Sequence, residues 1–154
     1  MAETTTIPGA THPILENDHA SEWMGVEVLA FSDGHATIRM TLRQEMLNGF
    51  GMAHGGMIFA FADSAFALAC NPASPTAAEA DTITVASGVD INFLKPAFQG
   101  QVITAVADRR SSEGRSGLYD IQIFAADAGA TAGNTAPGEL IAEFRGRSRT
   151  IPKK

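Results

Sequence analysis

A single cysteine in 154 residues, Cys70, leaves no internal disulfide to form, so a reducing cytoplasm is the expected compartment. Cations are also scarce. Eleven Lys and Arg against 17 Asp and Glu give a formal net charge of −6, and nucleic-acid binding calls for a basic surface. Nucleic acid is therefore not expected as a partner. The longest apolar stretch, Met57 to Cys70, is broken by Asp63 and Ser64 and is too short for a membrane span. The opening "MAETTTIPGATHPILENDHA" has no basic stretch ahead of an apolar core, so no signal peptide is read there. His12, His19, His35 and His54 show no metal-ligand spacing with one another or with Cys70, so a zinc site is not expected. "GFGMAHGG" lacks a P-loop lysine, and no serine sits in a G-x-S-x-G elbow.

What is present is ordinary globular composition, with 45% hydrophobic and 18% charged residues, enough for one domain with a real core. Residues 1 to about 12 read as a loose arm, and Pro13 to Met24 as a short helix. "GVEVLAFSDGHATIRMTL" carries turn chemistry at Ser32-Asp33-Gly34 between two strands, with Ala36, Ile38, Met40 and Leu42 on the dry face of the second. "GMIFAFADSAFALAC" is helical and apolar around its whole circumference, which predicts burial on every side. Asn71-Pro72 stops it. Strands follow in "TITVASGVDINFLKP", "GQVITAVADRR", "GLYDIQIFAA" and "ELIAEFRGRSRTI", where Val89, Ile91 and Phe93, then Tyr119, Ile121 and Ile123, then Leu140, Ala142 and Phe144 are the inward sets. "DAGATAGNTAPG" reads as a hairpin loop without chemistry. One buried helix and one antiparallel sheet predict an α+β fold in which the sheet curls around the helix. The sheet's free edges favour a dimer that pairs edge to edge.

Asp63 is the residue that asks for a reason. A carboxylate in an apolar helix is costly to ionise unless it has a partner or a use. As a structural group it would be satisfied by hydrogen bonds. As a chemical group its burial would raise its pKa, which suits a general base near neutrality. His54-Gly55-Gly56, where the helix opens, has a bland reading as a tight turn. Its other reading is that the Gly55 and Gly56 amides face an anion or a polarised carbonyl. At about 1.5 Å rise per residue, Asp63 lies roughly 12 Å along the axis from Gly55. If both groups act on one carbon, they must come from different subunits. Lys95, Arg109, Arg110, Arg115, Arg145, Arg147 and Arg149 read as the wet face of strands, some of them able to meet phosphates.

Across "NGFGMAHGGMIFAFADSAFALAC" the sequence resembles the hotdog-fold acyl-CoA thioesterases, in particular the phenylacetate-pathway (PaaI-type) group. Asn48, His54-Gly55-Gly56 and Asp63 meet that group's spacing, and "VASGVDINFLKPAFQG", "GRSGLYDIQI" and "FRGRSR" are similar to its strands. The resemblance implies a hotdog domain over residues 25–154, preceded by an arm and short helix over 1–24. It implies hydrolysis of an acyl-CoA, aryl-acetyl by preference and without metal or cofactor, in a homodimer with a shared site, itself paired into a dimer of dimers. Asp63 is then base or nucleophile and Gly55 the electrophilic donor, while Asn48 positions the carbonyl or the water and His54 shapes the helix start. Gly56, Ser87, Lys95 and Arg115 are the substrate-binding candidates. The rival readings are a hotdog enoyl-CoA hydratase and a catalytically silent acyl-CoA-binding module.

Overall fold

The computed structural model describes residues 5–9, 12–131 and 138–154. Six strands form one antiparallel sheet: β1 (Glu27–Ser32), β2 (His35–Thr41), β3 (Thr82–Phe93), β4 (Val102–Glu113), β5 (Ser116–Ala126) and β6 (Glu139–Pro152). Their order across the sheet is β1-β2-β4-β5-β6-β3. The helix α2 (Gly55–Cys70) lies in the concave side of this sheet and contacts all six strands. This is the α+β hotdog arrangement expected from the sequence. A short helix, α1 (His19–Met24), packs on α2.

Alternation on the strands builds the core. Ala36, Ile38 and Met40 of β2, Ile103, Ala105 and Ala107 of β4, and Tyr119, Ile121 and Ile123 of β5 all point inward and are buried. They close on Phe61, Ala62, Ala65, Phe66 and Leu68 of α2. Gly146 of β6 lets the helix come close: a Cβ there would sit 2.6 Å from a Phe66 ring carbon. In β6 the expected inward set shifts at its start. The pairing with β5 slips between Ile123 and Phe124, so Ile141 and Ala142 are buried in succession and Leu140 is only half covered.

Three other expectations change. Pro13 to Met24 is not one helix. A 3-10 turn at Pro13–Leu15 ends at Glu16, and Asp18 then caps α1, accepting the Ser21 amide on Oδ1 at 3.0 Å. Part of the arm read as loose is tied down: Pro8 accepts the Val28 amide at 2.8 Å, and Ile7 and His12 are buried. Finally, α2 is not covered all round. Phe59 is exposed, and Ala60, Asp63, Ala67 and Cys70 are half-buried along one stripe at helical spacing. Residues 132–137 of the "DAGATAGNTAPG" loop lie outside the described residues, and a 3-10 turn at Ala128–Thr131 leads into them.

The two sheet edges differ. β1 is flanked by the Pro8 segment, whereas β3 has no strand on its outer side among the described residues. At one end Asn71 mimics a strand there: its Oδ1 accepts the Thr84 amide and its Nδ2 donates to the Thr84 carbonyl, both at 3.0 Å. Beyond the bulge at Ala86/Gly88, β3 runs on to Phe93 with much of its length exposed. Among the described residues, no helix is long and apolar enough to cross a membrane.

Candidate active site

The site begins with a tight loop. Asn48 opens it, and Asn48 Oδ1 accepts the amides of Phe50 at 2.9 Å and Met52 at 3.2 Å. Two N–H donors on one atom require that atom to be the carbonyl oxygen, so Nδ2 is left facing away from the loop as a donor. The chain then returns through the Leu47–Ala53 bridge, and the Met46 carbonyl accepts the His54 amide at 2.8 Å. This fixes the entry angle of α2.

His54 is the N-cap. Its carbonyl accepts from Met57 at 2.9 Å and Ile58 at 3.2 Å, and its Nδ1 accepts the Gly56 amide at 2.9 Å. Accepting at Nδ1 places the ring proton on Nε2. The ring folds back over the helix start because residue 56 is glycine; a Cβ there would stand 3.1 Å from Nδ1. Gly56 was expected to offer its amide to a ligand, and instead that amide is held by His54. Of the first four amides of α2, only that of Gly55 has no protein acceptor among the described residues. It carries the positive end of the helix dipole.

Asn48 and Gly55 both line a cleft of about 420 Å³ whose other walls are Met52, Ala53, Ile58, Phe93, Leu94, Lys95 and Pro96. The walls are mainly apolar. The Phe93 ring leans on the helix start, within 3.2 Å of where a Gly55 Cβ would be. Lys95 reaches the cleft mouth but is paired with Glu139.

Asp63 does not line this cleft. It sits two turns further along α2 on the half-open stripe, with no hydrogen bond or ion pair among the described residues. Burial pushes its carboxyl above the ordinary carboxylate range, and the negative charge of Asp18 adds to the shift. Asp18 was not singled out from the sequence. Its Oδ2 accepts the Ser21 hydroxyl at 2.6 Å, and Ser21 Oγ lies 2.7 Å from Ser64 Oγ. Since the one Ser21 proton goes to the carboxylate, Ser64 donates to Ser21. This chain locks α1 against the turn of α2 that bears Asp63. The "DHASEWM" capping pattern makes Asp18 legible as a helix start, but nothing local reveals that it faces Asp63.

The remaining candidates are scattered. Ser87 lies on the exposed bulge of β3 and donates to the Arg147 carbonyl at 3.1 Å. Arg115 is exposed in the turn between β4 and β5. Burial pushes the Cys70 thiol up to about 12, so it is no nucleophile at neutral pH. One protomer thus presents a donor pair in an apolar cleft and, separately, an unpaired carboxyl with a raised pKa.

This fold and this donor-lined helix start define a hotdog-fold thioester hydrolase. The family model described as the thioesterase superfamily matches residues 50–132, and the chain belongs to that family. Among named proteins, it is 36% identical over 140 residues to the acyl-coenzyme A thioesterase PaaI of Escherichia coli (strain K12), covering 91% of this chain and 88% of that one. The solved structure of the E. coli PaaI protein from the phenylacetic acid degradation operon superposes with a TM-score of 0.76 at 34% identity, covering 92% of this chain and 91% of that chain. A mutant of the phenylacetic acid degradation protein PaaI from Thermus thermophilus gives a TM-score of 0.71 at 29% identity, covering 86% of this chain and 98% of that chain. The resemblance read around Asn48–Cys70 is borne out in family and fold.

Proposed function

We propose that this chain hydrolyses acyl-CoA thioesters, with an aryl-acetyl group as the acyl part, at a site completed by two protomers paired through the open edge of β3. The carbonyl oxygen accepts from the Gly55 amide and from Asn48 Nδ2. Asp63 of the other protomer then activates a water or attacks the carbonyl carbon itself. As the carbonyl becomes tetrahedral, negative charge builds on its oxygen, where fixed donors in an apolar cleft are worth most. On the water route, collapse expels the coenzyme A thiolate, which takes up the proton Asp63 removed from the water, and leaves the free acid. On the nucleophilic route, collapse expels the thiolate and leaves an acyl-Asp63 anhydride, which a water then hydrolyses to the free acid and the restored carboxylate. His54 holds the helix start in register. We assign the protein to the cytoplasm, the reducing compartment that a single cysteine without a disulfide partner fits. For the whole molecule we favour a dimer of dimers.

The observation that carries this reading is the Gly55 amide, the one donor of the first turn without an acceptor among the described residues, which lines an apolar cleft together with Asn48. The separation of Asp63 from it along one helix supports a shared site. So does the open stripe on α2, with Phe59 and Phe93 exposed in the single protomer.

Asp63→Asn tests the chemistry. Free thiol release from a panel of aryl and fatty acyl-CoAs should fall at least about 100-fold, while the dimer and its coenzyme A affinity persist. Undiminished hydrolysis would remove Asp63 from the mechanism. A wild type that binds acyl-CoA without releasing thiol would favour the silent binding module, or a hydratase if enoyl-CoA is consumed instead.

A further inference from the structure

The outer face of the sheet, turned away from α2 and its cleft, carries a second set of reactive groups. His35, Thr37 and Arg39 point outward along β2, and Val106 and Asp108 along β4, alternating with the buried residues of each strand. His35 pairs directly with Asp108 across the two strands, and Thr37 with Val106. His35 Nδ1 lies 2.8 Å from Asp108 Oδ1, and His35 Nε2 lies 3.1 Å from Thr37 Oγ1. An ionised carboxylate only accepts, so the ring proton sits on Nδ1 and Nε2 keeps a lone pair. Thr37 then donates its hydroxyl proton to Nε2. Hydroxyl, imidazole and carboxylate are thus linked in the order and polarity that activate a hydroxyl nucleophile. Arg39 is held by Glu27 and Arg109 by Asp33, so among the described residues His35 is the one ion-pair partner of Asp108. The His35 and Asp108 side chains are 33% and 45% exposed and Thr37 is half-buried, so solvent reaches the whole chain of groups. Ala30 and Val106 flank Thr37 on the neighbouring strands and leave room above its hydroxyl.

What this face lacks decides what the hydroxyl can do. β2 is paired on both sides, and strand amides lie in the plane of the sheet rather than above it. No amide is placed to hold an oxyanion over Thr37, and one such donor is worth about 100- to 1,000-fold in rate. A base-activated hydroxyl without those donors suits acyl groups that carry a good leaving group, and it favours a lasting ester over rapid turnover. We propose that Thr37 is a self-acylation site that takes acyl groups from thioesters and aryl esters, with His35 as general base and Asp108 as the residue that positions it. The Thr37 oxygen bonds to the acyl carbon, and the bond from that carbon to the thiolate sulfur or phenolate oxygen breaks. The Thr37 proton passes to Nε2 and from there to the departing thiolate or phenolate. The product is an acyl-Thr37 ester on the face opposite the cleft. This chemistry needs none of the residues assigned to acyl-CoA hydrolysis.

The probe is p-nitrophenyl acetate on the full chain, read by p-nitrophenolate release and by mass spectrometry of the acetylated peptides. Thr37 should be acetylated at least about 100-fold faster than Thr41, an exposed threonine at the end of the same strand, which is the usual size of general-base assistance. Thr37→Val should lose this label, and Thr37→Ser, which keeps the hydroxyl, should retain it. His35→Gln should slow the label at Thr37 at least about 100-fold with the melting temperature little changed. Asp63→Asn should be labelled as the wild type is, since the cleft takes no part. Proton–nitrogen NMR of the His35 ring should show its proton on Nδ1. Asp108→Ala should remove that preference and slow acetylation at least about 10-fold, a change that a merely structural ion pair would not produce. Labelling of Thr37 no faster than Thr41, labelling indifferent to His35→Gln, or a ring proton found on Nε2 in the wild type would overturn the site. So would loss of the label in Asp63→Asn, which would trace the acetyl group to the cleft.

Discussion

At the scale of single residues, the site depends on which polar atoms are already engaged. His54 Nδ1 takes the Gly56 amide and Asn48 Oδ1 takes two loop amides, so what remains for a substrate is the Gly55 N–H and Asn48 Nδ2. Asn48→Asp isolates the second donor. The aspartate keeps an oxygen to accept from Phe50 and Met52, so the loop holds, but it replaces the donor with a negative acceptor. We expect kcat to drop about 100- to 1,000-fold with little change in melting temperature. Asp18 offers a second test. A base acts ionised, so the acid limb of kcat/KM follows the pKa of Asp63, which burial and Asp18 both raise. Asn caps a helix as well as Asp does, so Asp18→Asn keeps the cap on the Ser21 amide and removes the charge. Its Nδ2 replaces the oxygen that accepts the Ser21 hydroxyl, and the contact survives with Ser21 accepting from Nδ2 and donating to Ser64. The acid limb should move to lower pH, though not to the ordinary carboxylate range, because burial remains. A pH–rate profile that stays in place would show that Asp18 serves only as a cap.

At the scale of elements, most of the fold was legible because its strands bury one face. The period-two sets on β2 and β5 appear in the core as read, and the spacing from Asn48 to Asp63 marked the helix start and its carboxyl. What was not legible came from contacts distant in sequence. The slip beside Phe124 that turns Ile141 inward depends on the partner strand, and the approach of Asp18 to Asp63 depends on how α1 packs. The apolar circumference of α2 was visible, but an apolar surface does not say whether its own chain or another copy covers it. Gly146 illustrates the same limit: in sequence it is one small residue in a charged strand, and in the fold it admits Phe66. Gly146→Ala would drive a Cβ to 2.6 Å from that ring, whereas at Gly88 the nearest atom, in the Arg147 side chain, lies at 3.5 Å. Thermal unfolding should show Gly146→Ala less stable by about 1–3 kcal/mol and Gly88→Ala close to wild type.

At the scale of the molecule, the reading requires that neither protomer be complete. A two-fold interface is self-complementary, so whatever one protomer lends to its partner it also receives. One cleft then takes Asp63 from the first chain with Gly55 and Asn48 from the second, and the other cleft takes the converse set. Subunit complementation tests this without any knowledge of the acyl group. Asp63→Asn and Asn48→Asp are each expected to be nearly inactive alone. Unfolded together and refolded as an equal mixture, they pair at random, and about half the dimers are mixed. Each mixed dimer has one cleft carrying both substitutions and one cleft carrying neither, so about a quarter of wild-type turnover should return. A site built within one protomer has no intact copy in any such pairing, and the mixture would stay as inactive as its parents. Activity that reappears on mixing, and scales with the mixed-dimer fraction resolved by native mass spectrometry, would place Asp63 opposite the partner's helix start.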